Sequence, residues 1–253
     1  ATPGTTHTLP GITGTPRDSI CPFCYVGKRR IEEAIRRSSH LPLKFNIRFS
    51  PFLLDPNLPS SPGENKRERY QRRFGGVDKV AAMEQAMIER GKQCDPPIAF
   101  SYDGVVSQTT DSHRIIEKAY QLKGEDGQLA LVERCVPPSS RSSSRSWGAD
   151  TSTRTTQVFK TYFEESGDPG SHDLLARDAV STGIFASEAD AKAFLASDEL
   201  LAEVQAGIRK AQLRGISGVP FTIINDKYGI SGAQETETFV EVFEKLAKGE
   251  LEA

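Results

Sequence analysis

The sequence carries almost no excess of one charge: 32 Lys and Arg face 34 Asp and Glu, for a net −2. A nucleic-acid binder needs a basic stripe or patch, and this balance gives no electrostatic argument for one. No apolar run reaches the roughly eighteen residues that span a bilayer, and residues 1–18 lack the basic-then-apolar order of a secretory signal. The expected compartment is therefore the cytoplasm, with no membrane partner. Cysteine is scarce too, since four in 253 residues are too few for a disulfide-built scaffold. What remains is ample for a core: 37% hydrophobic residues in a chain long enough for one large domain or two intimately joined ones.

Two of the four cysteines form a C-x-x-C, Cys21-Pro22-Phe23-Cys24, which runs into a segment where Ile31, Ala34 and Ile35 share one helical face. The pair therefore opens a helix. Pro22 suits the first turn, where a missing N–H costs nothing, and Arg36 and Arg37 suit the carboxyl end. Unpaired N–H groups at the helix start favour a thiolate at Cys21 and make it a reactive thiol. Two other readings compete with redox chemistry: half a zinc site, and an inert buried pair. Zinc needs two more ligands, yet the chain has no second C-x-x-C or H-x₃₋₅-H, and His7, His40, His113 and His172 are scattered. Cys94 and Cys135 stand alone and read as small buried hydrophobes.

Far downstream, Gly218-Val219-Pro220 precedes the apolar run Phe221–Asn225, which reads as a turn entering a strand with proline at its tolerated first position. Asn225–Gly229 makes a hairpin turn, Tyr228–Ser231 a second strand, and a final helix places Phe239, Phe243 and Leu246 on one face. Upstream, Leu43–Ser50 alternates apolar and polar residues, the period of an edge strand with one wet face. Between Asp55 and Asp198 the pattern is helical: Glu64–Phe74, Val77–Arg90, Asp111–Leu122, Gln128–Arg134, Asp173–Phe185 and Glu188–Leu195. Asp198 then reads as the cap of a helix reaching Arg214. Met83 and Met87 read as core, Arg29-Arg30 and Arg72-Arg73 as solvated faces, and His113 as a packing contact beside a cap at Asp111 or Ser112.

These blocks lie in one order: Ser19–Gly27, Pro51–Pro56, Asp111–Arg114, Gly218–Phe221 and Tyr228–Gln234. Together they resemble the DsbA-like thioredoxin superfamily, in particular its FrnE branch. The resemblance implies an α/β thioredoxin fold with an inserted all-helical domain: residues 1–55 and 198–253 make the thioredoxin part, and 56–197 the insertion. It implies that Cys21 is the exposed nucleophile, Cys24 the buried resolving thiol and Pro220 a cis proline facing them. The function it implies is thiol-disulfide oxidoreduction on a peptide, protein or glutathione substrate. Pro22, Phe23, Val219 and the helix-start residues Gly232, Ala233 and Gln234 would contact that substrate, Val219 through its backbone. No metal or cofactor is expected, with glutathione a candidate co-substrate. Related 2-hydroxychromene-2-carboxylate isomerases and kappa-class glutathione transferases share the architecture but commonly carry Ser where Cys21 stands, so glutathione-dependent isomerisation or transfer is the alternative.

Two stretches depart from that pattern. Residues 137–156 hold seven Ser, four Thr and three Arg, cannot build a core, and read as a disordered inserted loop. Before Cys21, Pro10, Gly11, Gly14 and Pro16 interrupt the expected first strand, which reads as weak, displaced or absent, with Thr5–Leu9 as a short candidate; its loss would leave both neighbouring strands unpaired.

Overall fold

The computed structural model describes residues 9–10, 12–132 and 157–251; Thr5–Thr8 and the stretch 137–156 lie outside the described residues. In chain order the elements are β1 (Leu9–Pro10), β2 (Ile12–Arg17), α1 (Pro22–Arg37), β3 (Leu43–Lys44), β4 (Phe49–Pro51), β5 (Glu64–Asn65), α2 (Lys66–Phe74) and α3 (Val77–Lys92). They continue as β6 (Val105–Val106), α4 (Thr110–Val132), α5 (Val158–Phe163), α6 (His172–Ser181), α7 (Glu188–Ala196), α8 (Leu201–Leu213), β7 (Phe221–Ile224), β8 (Tyr228–Ser231) and α9 (Thr236–Ala247). The main sheet runs β4-β2-β7-β8, with β2 parallel to β4 and antiparallel to β7, and β7 antiparallel to β8. Helices α2 to α8 all fall between β4 and β7, so the sheet joins two distant chain segments around a helical insertion. That is an α/β thioredoxin arrangement.

The strand before Cys21 is present, over Ile12–Arg17 and so downstream of the Thr5–Leu9 candidate, which corrects the expectation that prolines and glycines could remove it. β2 is central, and its register explains how it tolerates Pro16. The Thr15 N–H donates to the Arg48 carbonyl at 2.8 Å, on the β4 side. Backbone donors alternate along a strand, so the donor that Pro16 lacks would point toward β7. Pairing with β7 has already ended there, at Gly14 opposite Ile223 after a register shift. The run Leu43–Ser50 keeps its alternating burial but is not one strand: β3 pairs with β1 and β4 with β2, with residues 45–48 outside either strand. The insertion also contains a two-residue ladder, β5 with β6, where no strand is expected from sequence.

Other boundaries shift for local reasons. The two helical segments expected around 111–134 follow one another within α4, separated by a break at Gly124, whose φ of 61° and ψ of −149° are not helical. α8 starts at Leu201 rather than at an Asp198 cap. Leu200, buried in the core, takes a left-handed φ of 64° to enter it. Met87 is core as expected, whereas Met83 is 47% exposed. Arg29 is buried rather than solvated and lies over the Tyr25 ring.

One hydrophobic cluster runs from the sheet into the insertion, joining Tyr25, Val26 and Phe49 to Met87, Phe100, Ile115 and Phe159. Tyr25 is the hinge of that continuity, stacked on Phe159 at 5.1 Å and on Phe163 at 5.8 Å, with its hydroxyl donating to Glu164 at 2.7 Å. A second cluster packs Ile31 and Ala34 of α1 against Phe239, Phe243 and Leu246 of α9. The insertion therefore shares its core with the sheet instead of folding on a core of its own.

Lys66 opens α2 although it is 1% exposed, with its ammonium 3.9 Å above the Tyr162 ring and 3.4 Å from the Tyr162 carbonyl. Burial pushes its pKa down to about 8, against the weaker pull of Asp103 and Glu84. The unfolded chain holds that proton to about 10.4, so it binds more protons than the folded chain between these values and stability rises with pH there. Lys66→Met is expected to be more stable than the parent at pH 7, with the difference shrinking by pH 9.5 in thermal melts. A difference that does not change with pH would contradict this.

Candidate active site

Cys21 caps the amino end of the 16-residue helix α1, in extended backbone (φ −88°, ψ 109°), with Pro22 in the first turn and Arg36 and Arg37 in the last. The helix places Cys24 one turn on, where its N–H donates to the Cys21 carbonyl at 2.9 Å and the two thiols hydrogen-bond. Neither is part of a disulfide in the structure. Across from them the Val219–Pro220 peptide bond is cis, and the Val219 carbonyl accepts the Cys21 thiol at 3.4 Å. Gly27 lets this approach happen: a Cβ there would lie 3.1 Å from Pro220 Cγ and 3.4 Å from Ala233 Cβ. C-x-x-C and Val-Pro, 198 positions apart, therefore meet.

The two sulfurs have unlike surroundings. Burial pushes the Cys24 thiol well above the usual cysteine range; the bond to Cys21 and the Cys21 charge add to that, and the Arg17 charge opposes it. Arg17 is itself 3% exposed, held by donation from Nη1 to the Cys24 carbonyl at 2.7 Å and by the Phe49 ring 4.7 Å away. Burial lowers the Arg17 pKa, and the charges of Cys24, Glu32 and Cys21 pull it back up. Sequence reasoning missed Arg17; the only available signal was a basic residue ending a strand four places before the first cysteine.

Cys21 is not exposed as expected: it is 3% accessible and forms part of the wall of a cavity of about 500 Å³. Pro22, Phe23 and Val219 line the same cavity. Gly232, Ala233 and Gln234 do not line it. The Gly232 N–H donates to the Pro220 carbonyl at 2.9 Å, the Ala233 carbonyl accepts from Arg30 at 2.6 Å, and the Gln234 side chain donates to Ser231 at 2.7 Å. Those three residues brace the turn behind Pro220. His113 is a packing residue, 5% exposed and 3.0 Å from the Phe52 carbonyl, while Asp111 pairs with Arg114 and His172 rather than capping α4. Among the described residues no group of three or more His, Cys, Asp and Glu side chains is placed to hold a metal ion, and no helix is long and apolar enough to cross a membrane.

The family model for the DSBA-like thioredoxin domain matches residues 17–134 and 146–244, skipping part of the Ser-rich stretch. A probable DsbA oxidoreductase from Streptomyces coelicolor has a similar structure, at 24% identity and TM-score 0.72, over 95% of this chain and 91% of that one. A 2-hydroxychromene-2-carboxylate isomerase matches at 15% identity and TM-score 0.59, over 96% and 98%. The cytosolic disulfide reductase DsbM from Pseudomonas aeruginosa, in a structure with glutathione, matches at 13% identity and TM-score 0.53, over 95% and 100%. These likenesses are of fold. No curated protein matches the sequence.

The Arg17 geometry makes a specific demand on Cys24. In a Cys21→Ser background, Arg17→Met should move the pH midpoint of Cys24 alkylation upward by on the order of one unit, provided urea melts show the variant folded. An unmoved midpoint would reduce Arg17 to a packing role.

Proposed function

Because the chain belongs to the DsbA-like thioredoxin family, we propose that it is a thiol-disulfide oxidoreductase working through the Cys21–Cys24 dithiol. One observation carries the reading: Cys21 Sγ, at the mouth of α1, faces a cavity on one side and a buried second thiol on the other. In the reducing direction the Cys21 thiolate attacks a substrate disulfide, its S–S bond breaks, and one substrate sulfur leaves as thiolate. Cys24 then loses its proton and attacks the Cys21 sulfur, releasing the second substrate thiol and leaving the Cys21–Cys24 disulfide. The oxidising direction is the reverse. The positive end of α1 and the Arg17 charge both favour sulfur anions during these steps.

The raised pKa of Cys24 fits a resolving role, since a thiol that stays protonated waits until the mixed disulfide forms beside it. Glutathione-dependent isomerisation or transfer needs one reactive group and no resolving thiol, which separates it from this proposal. Cys21→Ser should bring exchange with a small disulfide reporter down to the uncatalysed rate. Cys24→Ser should accumulate a mixed disulfide on Cys21 visible by intact mass. Full activity in Cys24→Ser would favour the isomerase or transferase reading instead.

A further inference from the structure

Four of the large apolar side chains that stay exposed gather at one place: Phe23 (42%), Leu54 (40%), Phe74 (39%) and Met83 (47%) all line the cavity beside Cys21. Its far wall is the α2–α3 hairpin, which adds Tyr70 and the buried Met87. A volume of about 500 Å³ suits a small molecule. Exposed apolar surface of this kind, gathered around a reactive sulfur, marks a place where an apolar body is accommodated.

Charge around that wall is uneven. Arg69 and Arg73 share Asp55, and Arg69 also meets Glu64; Glu84 is taken by Arg67. Arg90 has no carboxylate partner among the described residues, and its guanidinium lies 5.3 Å over the Phe23 ring. A half-buried cation beside an aromatic rim is complementary to an anionic group on an otherwise apolar ligand. A folded protein must bring its own disulfide in line with the attacking sulfur, and Cys21 at 3% accessibility lies below the rim. Glutathione disulfide would set several peptide groups against a mostly apolar wall, with few partners for them.

We infer that the cavity takes low-molecular-weight disulfides or thiols with an aromatic or branched apolar body and a carboxylate, and that Arg90 selects the carboxylate. The inference rests on the dithiol function proposed above. Its chemistry balances as a two-electron exchange: RS–SR plus the Cys21–Cys24 dithiol gives two RSH and the Cys21–Cys24 disulfide. An external low-molecular-weight dithiol then restores the Cys21–Cys24 dithiol, being oxidised to its own disulfide.

The test uses the full reduced chain under single-turnover conditions with four oxidants: 5,5′-dithiobis(2-nitrobenzoate), neutral 4,4′-dithiodipyridine, glutathione disulfide and insulin. Each rate is divided by that of free dithiothreitol, which removes the intrinsic reactivity of the probe. Both aromatic probes should then exceed glutathione disulfide and insulin, and show saturation. Arg90→Gln should raise the half-saturating concentration for the dicarboxylate about three- to tenfold and leave that for dithiodipyridine within about twofold. Met83→Glu should weaken the dicarboxylate more than glutathione disulfide. Normalised rates favouring insulin or glutathione disulfide, or an Arg90→Gln effect equal on both aromatic probes, would overturn the inference. Failure of every probe to oxidise Cys21 would instead overturn the dithiol function.

Discussion

The amino end of α1 has to be in two relationships at once: its first turn is open to a cavity, and its inner side is pressed against Pro220. Pro22 starts the helix at Cys21, Gly27 removes the side chain that would hold Pro220 away, and the Val219 carbonyl takes the Cys21 thiol. Shifting any one of these would separate the sulfur from either its helix end or its facing backbone. The central strand β2 leads into α1 and Pro220 leads into β7, so the β2–β7 pairing holds the two halves of this contact together.

Behind the thiols lies an unusual amount of buried charge. Arg17, Lys28 and Glu32 are all nearly inaccessible, with Lys28 donating to Glu32 at 2.8 Å and Arg17 bound to the Cys24 carbonyl. Buried ion pairs of this kind seldom stabilise a fold over an apolar alternative, because desolvation offsets the attraction. The electrostatics of the adjacent sulfur give Arg17 a reason to be there: the negative form of the buried Cys24 has the Arg17 charge as counterweight, and the Glu32 charge in turn holds the Arg17 pKa up.

Much of this was legible in the residues. C-P-x-C at the head of an amphipathic segment located α1 and its cap, and the late Val-Pro run located β7, because both signals are local and depend on proline's fixed φ and missing donor. The fate of β2 was not legible: whether Pro16 breaks a strand depends on which neighbour its absent N–H would have faced, and that is a property of register. Likewise Met83 and Met87 have the same helical spacing, yet only Met87 is covered, since the space in front of Met83 is the cavity. Gly232–Gln234 sat in a fitting motif but brace the turn instead of reaching the cavity, a distinction that only three-dimensional placement makes.

The central claim is that Cys21 and Cys24 interconvert between dithiol and disulfide within the folded chain. Equilibrating the native protein in a series of glutathione redox buffers, quenching with acid and reading intact and peptide masses tests it directly. The account predicts a reversible loss of two hydrogens that maps to the peptide holding both cysteines, with folding retained throughout. A native chain that keeps both thiols in buffers that readily oxidise the same pair after denaturation would contradict it.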